Sequence, residues 1–255
     1  MKTKIKICGL FRREDIAAVN RIRPDFIGFV FWEKSRRFVT LKQAADFRKE
    51  LDPGIQAVGV FVDAPCEKII TLLEEGIIDI AQLHGEETEE DIRYIQAVTH
   101  KPVIKAVKVR SRDDVEAWLD SGADWLLFDS GMGSGTPFDW RLLAGVEREY
   151  FLAGGLTPEK MRELPEFLHP YGVDVSSGVE TDGYKDPLKI QLMKGEEIQG
   201  EKQGEKQGEK QGEKQEEKQG EKQEEKQGEM QEEIQEEKQE EKQQMKQEEI
   251  TGRKL

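Results

Sequence analysis

The stretch IKICGLFRREDIAAVNRIRPDFIGFVF, residues 5–31, joins two short apolar runs through one segment with helical spacing. The runs IKIC and DFIGFVF are rich in the β-branched and aromatic residues that strands favour. Between them, EDIAAVNRI carries its apolar side chains at the intervals of an amphipathic helix. A strand, a helix and a second strand in this order predict a unit with two parallel strands.

The same alternation continues along the chain. Six further strand-like runs follow: QAVGVFV (56–62), IDIAQL (78–83), PVIKAV (102–107), DWLLFD (124–129), YFLAG (150–154) and GVDVS (172–176). Eight strand–helix units in fewer than 200 residues favour closure of the parallel sheet. We therefore predict an α/β fold, a (β/α)₈ TIM barrel, while periodicity alone also allows an open doubly wound sheet.

Charge and composition divide the 255-residue chain near residue 194. Residues 1–194 hold 27 basic and 33 acidic residues, whereas residues 195–255 hold 12 basic and 20 acidic residues. The net charge of the whole chain is −14. The first segment is rich in Ile, Val, Leu and Phe and is long enough to bury one core. We predict a barrel domain over 1–194 and a low-complexity tail over 195–255.

The tail repeats GEKQ, EEKQ and related four-residue units and contains no aromatic residue, cysteine or proline. Glycine costs a helix about 1 kcal/mol relative to alanine, so the glycine-rich residues 200–215 are expected to be disordered. Residues 221–250 contain a single glycine, Gly228, and are expected to form a partial or complete helix. A solubilising or neutral repeat is favoured over a partner-binding tail.

The composition argues against several classes of protein. Neither segment has the basic surplus that nucleic-acid binding requires. No apolar run reaches the roughly 18 residues of a membrane span, and the N-terminus MKTKIKICGL lacks the apolar region of a signal peptide. A cytoplasmic protein is expected, in which Cys8 and Cys66 stay reduced rather than form a disulfide.

Small and polar residues follow several predicted strands, at the face of the barrel where active sites of this fold lie. Gly154 and Gly155 follow the seventh strand, and Ser176, Ser177 and Gly178 follow the eighth. The loops after these two strands commonly bind phosphate through backbone N–H groups. A phosphorylated small molecule is the expected ligand, although tight turns alone would also favour these glycines.

Cys8 ends the first predicted strand and Asp129 the sixth, so the two can face a ligand from different sides as a base and an acid. Strand alternation puts Lys6 on the same face as Cys8, and we expect Lys6 to lower the pKa of the thiol. A general acid at Asp129 would need a raised pKa. Alternatively, Cys8 is a small buried hydrophobe and Asp129 a cap or loop-stabilising carboxylate.

Eight motifs together resemble one family, the phosphoribosylanthranilate isomerases, over residues 3 to about 190. They are KICGL, GFVFWEKSRRFV, VGVFV, IAQLHGEE, LLFDS, GSGTPFDW, LAGGLTPE and DVSSGVE, in the order of the family. The resemblance implies an Amadori rearrangement in L-tryptophan biosynthesis. N-(5′-phosphoribosyl)anthranilate becomes 1-(2-carboxyphenylamino)-1-deoxyribulose 5-phosphate, with no cofactor or metal ion expected.

The resemblance also assigns roles to residues. Cys8 matches the general base, Asp129 the general acid, and Arg37 the residue that pairs with the anthranilate carboxylate. Arg36, the residue before it, is the alternative to Arg37 for this role.

Two more polar residues are expected at the site. His84 is a candidate to contact the reacting centre, although a structural histidine is the more frequent use of such a position. Asp174 shares a strand face with Ser176 and is expected to orient substrate hydroxyls or hold the loops.

Some alternatives stay open. The segment GYKDPLKIQLMKGEEIQG, residues 183–200, begins like an eighth helix but soon loses its apolar stripe, which predicts weaker closure of the barrel. A catalytically silent barrel with an interaction tail is the alternative outside the enzymes, and an isomerase with two catalytic aspartates is the alternative among them. The sequence leaves a monomer and a homodimer equally open.

Overall fold

The structure is a computed structural model that describes residues 3–130 and 138–195. The conformations predicted for residues 200–215 and 221–250 lie outside these described residues. No helix among the described residues is long and apolar enough to cross a membrane.

Eight parallel strands pair in sequence order and close into a barrel. The strands are β1 Lys4–Cys8, β2 Phe26–Val30, β3 Gln56–Phe61, β4 Ile80–Leu83, β5 Val103–Lys108, β6 Trp125–Asp129, β7 Tyr150–Leu152 and β8 Gly172–Val175. Each coincides with one of the apolar runs, so the predicted TIM barrel is confirmed and the open sheet is excluded.

Seven α-helices are present in the described ranges. They are α1 Arg13–Ile22, α2 Leu41–Glu50, α3 Cys66–Glu74, α4 Glu89–Thr99, α5 Arg112–Glu116, α6 Pro158–Arg162 and α7 Pro187–Met193. The connection from β6 to β7 contains the short 3₁₀ helix Trp140–Leu143 instead of an α-helix in its described part. The strict strand–helix alternation is therefore clearest in the first half of the barrel.

Strand alternation divides the apolar side chains into two layers. Phe26, Ile80, Leu127 and Phe151 belong to the cluster that fills the inside of the barrel. The alternate residues, such as Ile7, pack outward against the helices in a larger cluster. Because of this alternation, β1 points Lys6 and Cys8 inward, as predicted. Cys8 and Cys66 both carry free thiols.

The last helix closes the seam between β8 and β1. α7 begins at Pro187 after the cap Asp186 and buries Ile190 and Met193. Lys194 follows α7, and its Nζ donates at 2.6 Å to the backbone oxygen of Ile22, the last residue of α1. The apolar stripe is short, as the sequence indicated, but α7 packs on α1 and the β1–β8 ladder is complete. Weaker closure of the barrel stays a prediction about stability.

The burial of α7 gives a stability prediction. Replacing Ile190, which is fully buried, with alanine should lower the free energy of unfolding by about 2–4 kcal/mol, because a cavity forms between α7 and the sheet. Leu188→Ala in the same helix is the matched control: its side chain is 52% exposed, so its loss should stay below about 1 kcal/mol. Urea denaturation measures both values, and equal losses would contradict this account of closure.

Candidate active site

One cavity of about 540 Å³ opens at the carboxyl ends of the strands. All nine residues that the sequence nominated line it: Cys8, Arg37, His84, Asp129, Gly154, Gly155, Asp174, Ser177 and Gly178. Parallel strands that close into a barrel bring their carboxyl ends to one face, so residues far apart in the chain meet there.

Cys8 lies above a buried ion pair on the inner face of the barrel. Lys6 Nζ donates to Asp174 Oδ1 at 2.9 Å, across the β1–β8 seam, and the Lys6 side chain has no exposed surface. Burial raises the pKa of the Cys8 thiol above its ordinary value, while Lys6 and Lys185 act to lower it and Asp174 to raise it. Lys6 therefore acts to lower the pKa of the thiol, as expected, although desolvation outweighs this effect and the net pKa is raised.

Asp129 ends β6 beside the side chain of His84, which follows β4. His84 Nε2 and Asp129 Oδ2 are 3.4 Å apart. On the other side of the ring, Gln82 Nε2 lies 3.0 Å from His84 Nδ1. Gln82, His84 and Asp129 thus form a continuous row of polar side chains along the cavity wall. Gln82 and His84 are neighbours because they lie two residues apart on one strand face.

Arg37 reaches the cavity from the loop after β2 and is held by Glu180. Arg37 Nε and Nη2 donate to the two carboxylate oxygens at 2.7 and 2.9 Å, a bidentate geometry. Arg36 Nη2 and Lys185 Nζ bind the same carboxylate. Burial works to raise the pKa of Glu180, but the hydrogen bonds from Arg37 and Lys185 lower it below its usual range. Three cations and one anion leave this cluster positively charged.

The two arginines differ in their access to the cavity. The Arg37 side chain is 18% exposed and lines the cavity, whereas the Arg36 side chain is 57% exposed and is absent from the lining. The geometry therefore brings Arg37, rather than Arg36, to the predicted site.

Glycine is required in both loops predicted to bind phosphate. Gly154 has φ +92°, and a Cβ there would lie 2.7 Å from Ser130 Oγ. A Cβ on Gly178 would lie 1.8 Å from the backbone oxygen of Leu156, so the loop after β8 can pack against the loop after β7 only without a side chain. These close approaches bring the backbone of both loops to one side of the cavity.

Three residues of this site were missed as functional candidates. Glu180 lies in the quoted motif DVSSGVE, but nothing in a single sequence reveals that its carboxylate turns inward toward an arginine 143 residues away. Lys185 belongs to the short antiparallel pair Glu180–Thr181 and Tyr184–Lys185, which has no apolar pattern. Gln82 lies within the quoted motif IAQLHGEE, and a polar residue in a short buried strand was a usable signal.

The fold and this cavity define an enzyme of the (β/α)₈ class that acts at the carboxyl ends of its strands. A family model described as N-(5′-phosphoribosyl)anthranilate (PRA) isomerase matches residues 5–194. The chain belongs to the N-(5′-phosphoribosyl)anthranilate isomerase family. The prediction of an isomerase of tryptophan biosynthesis is thereby confirmed.

Individual relatives agree with the family assignment. The chain is 46% identical over 195 residues to the N-(5′-phosphoribosyl)anthranilate isomerase of Caldanaerobacter subterraneus subsp. tengcongensis, covering 74% of this chain and 94% of that protein. The crystal structure of phosphoribosyl anthranilate isomerase from Thermotoga maritima is 37% identical with a TM-score of 0.69, over 75% of this chain and 97% of that one.

A further solved structure of this family contains a ligand. This phosphoribosyl anthranilate isomerase is in complex with reduced 1-(o-carboxyphenylamino)-1-deoxyribulose 5-phosphate. It is 36% identical to this chain with a TM-score of 0.67, over 75% of this chain and 96% of the relative.

The charges around Cys8 give a titration prediction. In a Cys66→Ser background, which removes the second thiol, Lys6→Met should raise the pKa of Cys8 further, because a stabilising positive charge is lost. Asp174→Asn should lower it, because a nearby negative charge is lost. Thiolate absorbance in the ultraviolet measures both shifts. Shifts of the same sign in the two variants, or no shift in either, would contradict the assigned electrostatics.

Proposed function

We propose that this cavity catalyses the Amadori rearrangement of N-(5′-phosphoribosyl)anthranilate, with Asp129 as general acid and Cys8 as general base. The observation that carries the proposal is the placement of the thiol and the carboxylate on separate strands, β1 and β6, of one cavity. An acid and a base on separate strands can approach two different atoms of one substrate.

The acid acts in the first step. Asp129 gives a proton to the ring oxygen of the ribose, the bond between that oxygen and C1′ breaks, and the lone pair of the anthranilate nitrogen forms a protonated Schiff base. The product of this step has an open sugar chain and a positive charge at the C1′–N group. Asp129 is left as a carboxylate.

The base acts in the second step. The Cys8 thiolate removes the proton from C2′, and the electron pair moves to the Schiff base to give a neutral enolamine. Transfer of the enol proton to C1′ then yields the ketone. Lys6 and Lys185 favour the thiolate against the cost of burial, and the positive charge of the Schiff base adds to them when substrate is bound.

Arg37 is proposed to bind the anthranilate carboxylate. The Nε and Nη2 atoms of Arg37 donate to Glu180, so the rigid guanidinium group is already oriented before substrate arrives. The Nη1 side of the group is then available to a second carboxylate. The net positive charge of the Glu180 cluster, which is formed by Glu180, Arg36, Arg37 and Lys185, supports this assignment.

The phosphate is proposed to bind at the loops after β7 and β8. Gly154, Gly155, Ser177 and Gly178 line the cavity there, and the close packing of these loops brings backbone N–H groups toward one ligand. The reduced product analogue bound by a 36% identical relative carries a phosphate and an anthranilate group, which supports the same ligand class here.

Two side chains complete the proposed substrate contacts. The side chain of His84 is 32% exposed and faces the substrate beside Asp129. Asp174 binds Lys6 through Oδ1, and we assign its Oδ2 to a substrate hydroxyl.

The two alternatives find less support in this geometry. A silent barrel has no need for an ion pair buried beneath a cysteine or for an arginine held in place by a buried carboxylate. An isomerase with two catalytic aspartates would have the second aspartate at the position of Cys8.

Removal of either catalytic group should abolish most turnover. Cys8→Ala and Asp129→Asn should each lower kcat by about 100-fold or more, as expected for loss of general base or acid catalysis. Fluorescence of the anthranilate substrate follows the reaction, and Cys66→Ala is the control thiol substitution with unchanged kcat. Near-normal turnover by both variants would refute the assigned roles, and an inactive wild type would favour the silent barrel.

The two arginines can be separated by a matched pair of substitutions. Arg37→Met should raise KM by about tenfold or more, because a bidentate contact to the carboxylate is lost. Arg36→Met should change KM by less than about threefold, because its partner Glu180 keeps two other cations. Steady-state kinetics measure both, and the opposite ranking would assign the carboxylate to Arg36.

A further inference from the structure

Gln82 contains a buried polar atom that lacks a partner. Its side chain points into the barrel from β4 and is 1% exposed, and its Oε1 accepts no hydrogen bond from any described residue. Buried polar groups are hydrogen-bonded in most proteins, and an exception at a cavity wall often has a functional reason. An apolar side chain such as Met would fill this position without leaving an orphan atom.

The amide nitrogen of the same side chain has a defined partner. Gln82 Nε2 can only donate hydrogen bonds, so at 3.0 Å it makes His84 Nδ1 an acceptor. A neutral imidazole with an acceptor at Nδ1 carries its proton on Nε2. That N–H faces Asp129, with Nε2 and Oδ2 3.4 Å apart. This distance is longer than an ordinary hydrogen bond, as catalytic hydrogen bonds often are before substrate binds.

We propose that Gln82 is a positioning residue that fixes the tautomer of His84, so that His84 donates a hydrogen bond to Asp129 as that residue loses its proton. The proposal rests on the proposed function of Asp129 as general acid. The imidazole N–H stabilises the carboxylate that forms in the first step, and no proton leaves His84 in the process. The unpaired Oε1 is the consequence of directing the amide nitrogen at the ring.

The spectroscopic test uses the free enzyme. The chain contains three histidines, so the signals of His84 in a ¹⁵N NMR spectrum can be assigned by comparison with a His84→Gln variant. The wild type should show the Nε2–H tautomer. Gln82→Glu supplies an acceptor in place of the donor and should move the proton to Nδ1. An Nδ1–H tautomer in the wild type, or an unchanged tautomer in Gln82→Glu, would overturn the proposal.

The kinetic test separates positioning from a structural role. Gln82→Met should lower kcat by about tenfold with KM nearly unchanged, while its melting temperature equals or exceeds that of the wild type, because the orphan atom is gone. Gln82→Glu should lower kcat more than Gln82→Met, because a bare Nε2 then faces the forming carboxylate. A parallel fall in kcat and melting temperature in Gln82→Met would contradict the proposal.

A double substitution shows whether Gln82 acts through Asp129. In an Asp129→Asn background, measured at high enzyme concentration, Gln82→Met should have no further effect on the rate, since the carboxylate is absent. A full tenfold effect in that background would refute the coupling. Failure of the proposed function would appear differently, as turnover by Asp129→Asn equal to the wild type, and the tautomer of His84 would still be measurable.

Discussion

The ion pair between Lys6 and Asp174 joins the first and last strands of the barrel. The residues are 168 positions apart, yet the parallel pairing of β1 with β8 sets them side by side in a largely apolar interior. Two buried charges are tolerated there only because each neutralises the other. Directly above them, β1 ends at Cys8 and β8 leads into the loop of Ser177 and Gly178, so the closure of the barrel also assembles the site.

Burial and neighbouring charges have opposite effects on the pKa values of the groups around the cavity. Desolvation raises the pKa of the Cys8 thiol, and two buried ammonium groups work against it. Glu180 is more than nine-tenths buried and remains an anion because Arg37 and Lys185 surround it. Asp174 is thus paired with Lys6, and Glu180 with Arg37 and Lys185, which keeps these charges in place before the ligand enters.

The sequence predicts the strands better than the helices, for a physical reason. Strands buried on both faces appear as short runs rich in Ile, Val, Leu and Phe, with isolated polar residues such as Lys6 and Gln82, and all eight runs lie within a few residues of the observed strands. The described part of the segment after β6 forms the 3₁₀ helix Trp140–Leu143 in place of the α-helix that the alternation predicts. Site residues at strand ends were nominated because topology alone brings them together. The partners Glu180 and Lys185 depend on side-chain directions that one sequence does not encode visibly, whereas the inward direction of Gln82 follows from strand alternation.

The central claim is that one substrate lies between Cys8 and Asp129, with its carboxylate at Arg37 and its phosphate at the glycine loops. A crystal structure of this enzyme with reduced 1-(o-carboxyphenylamino)-1-deoxyribulose 5-phosphate tests it most directly. The account predicts Cys8 Sγ within about 3.5 Å of C2′ and the Asp129 carboxylate at hydrogen-bond distance from the oxygen on C4′. A complex with the phosphate at Arg37, or with Cys8 and Asp129 on the same side of the sugar, would contradict it.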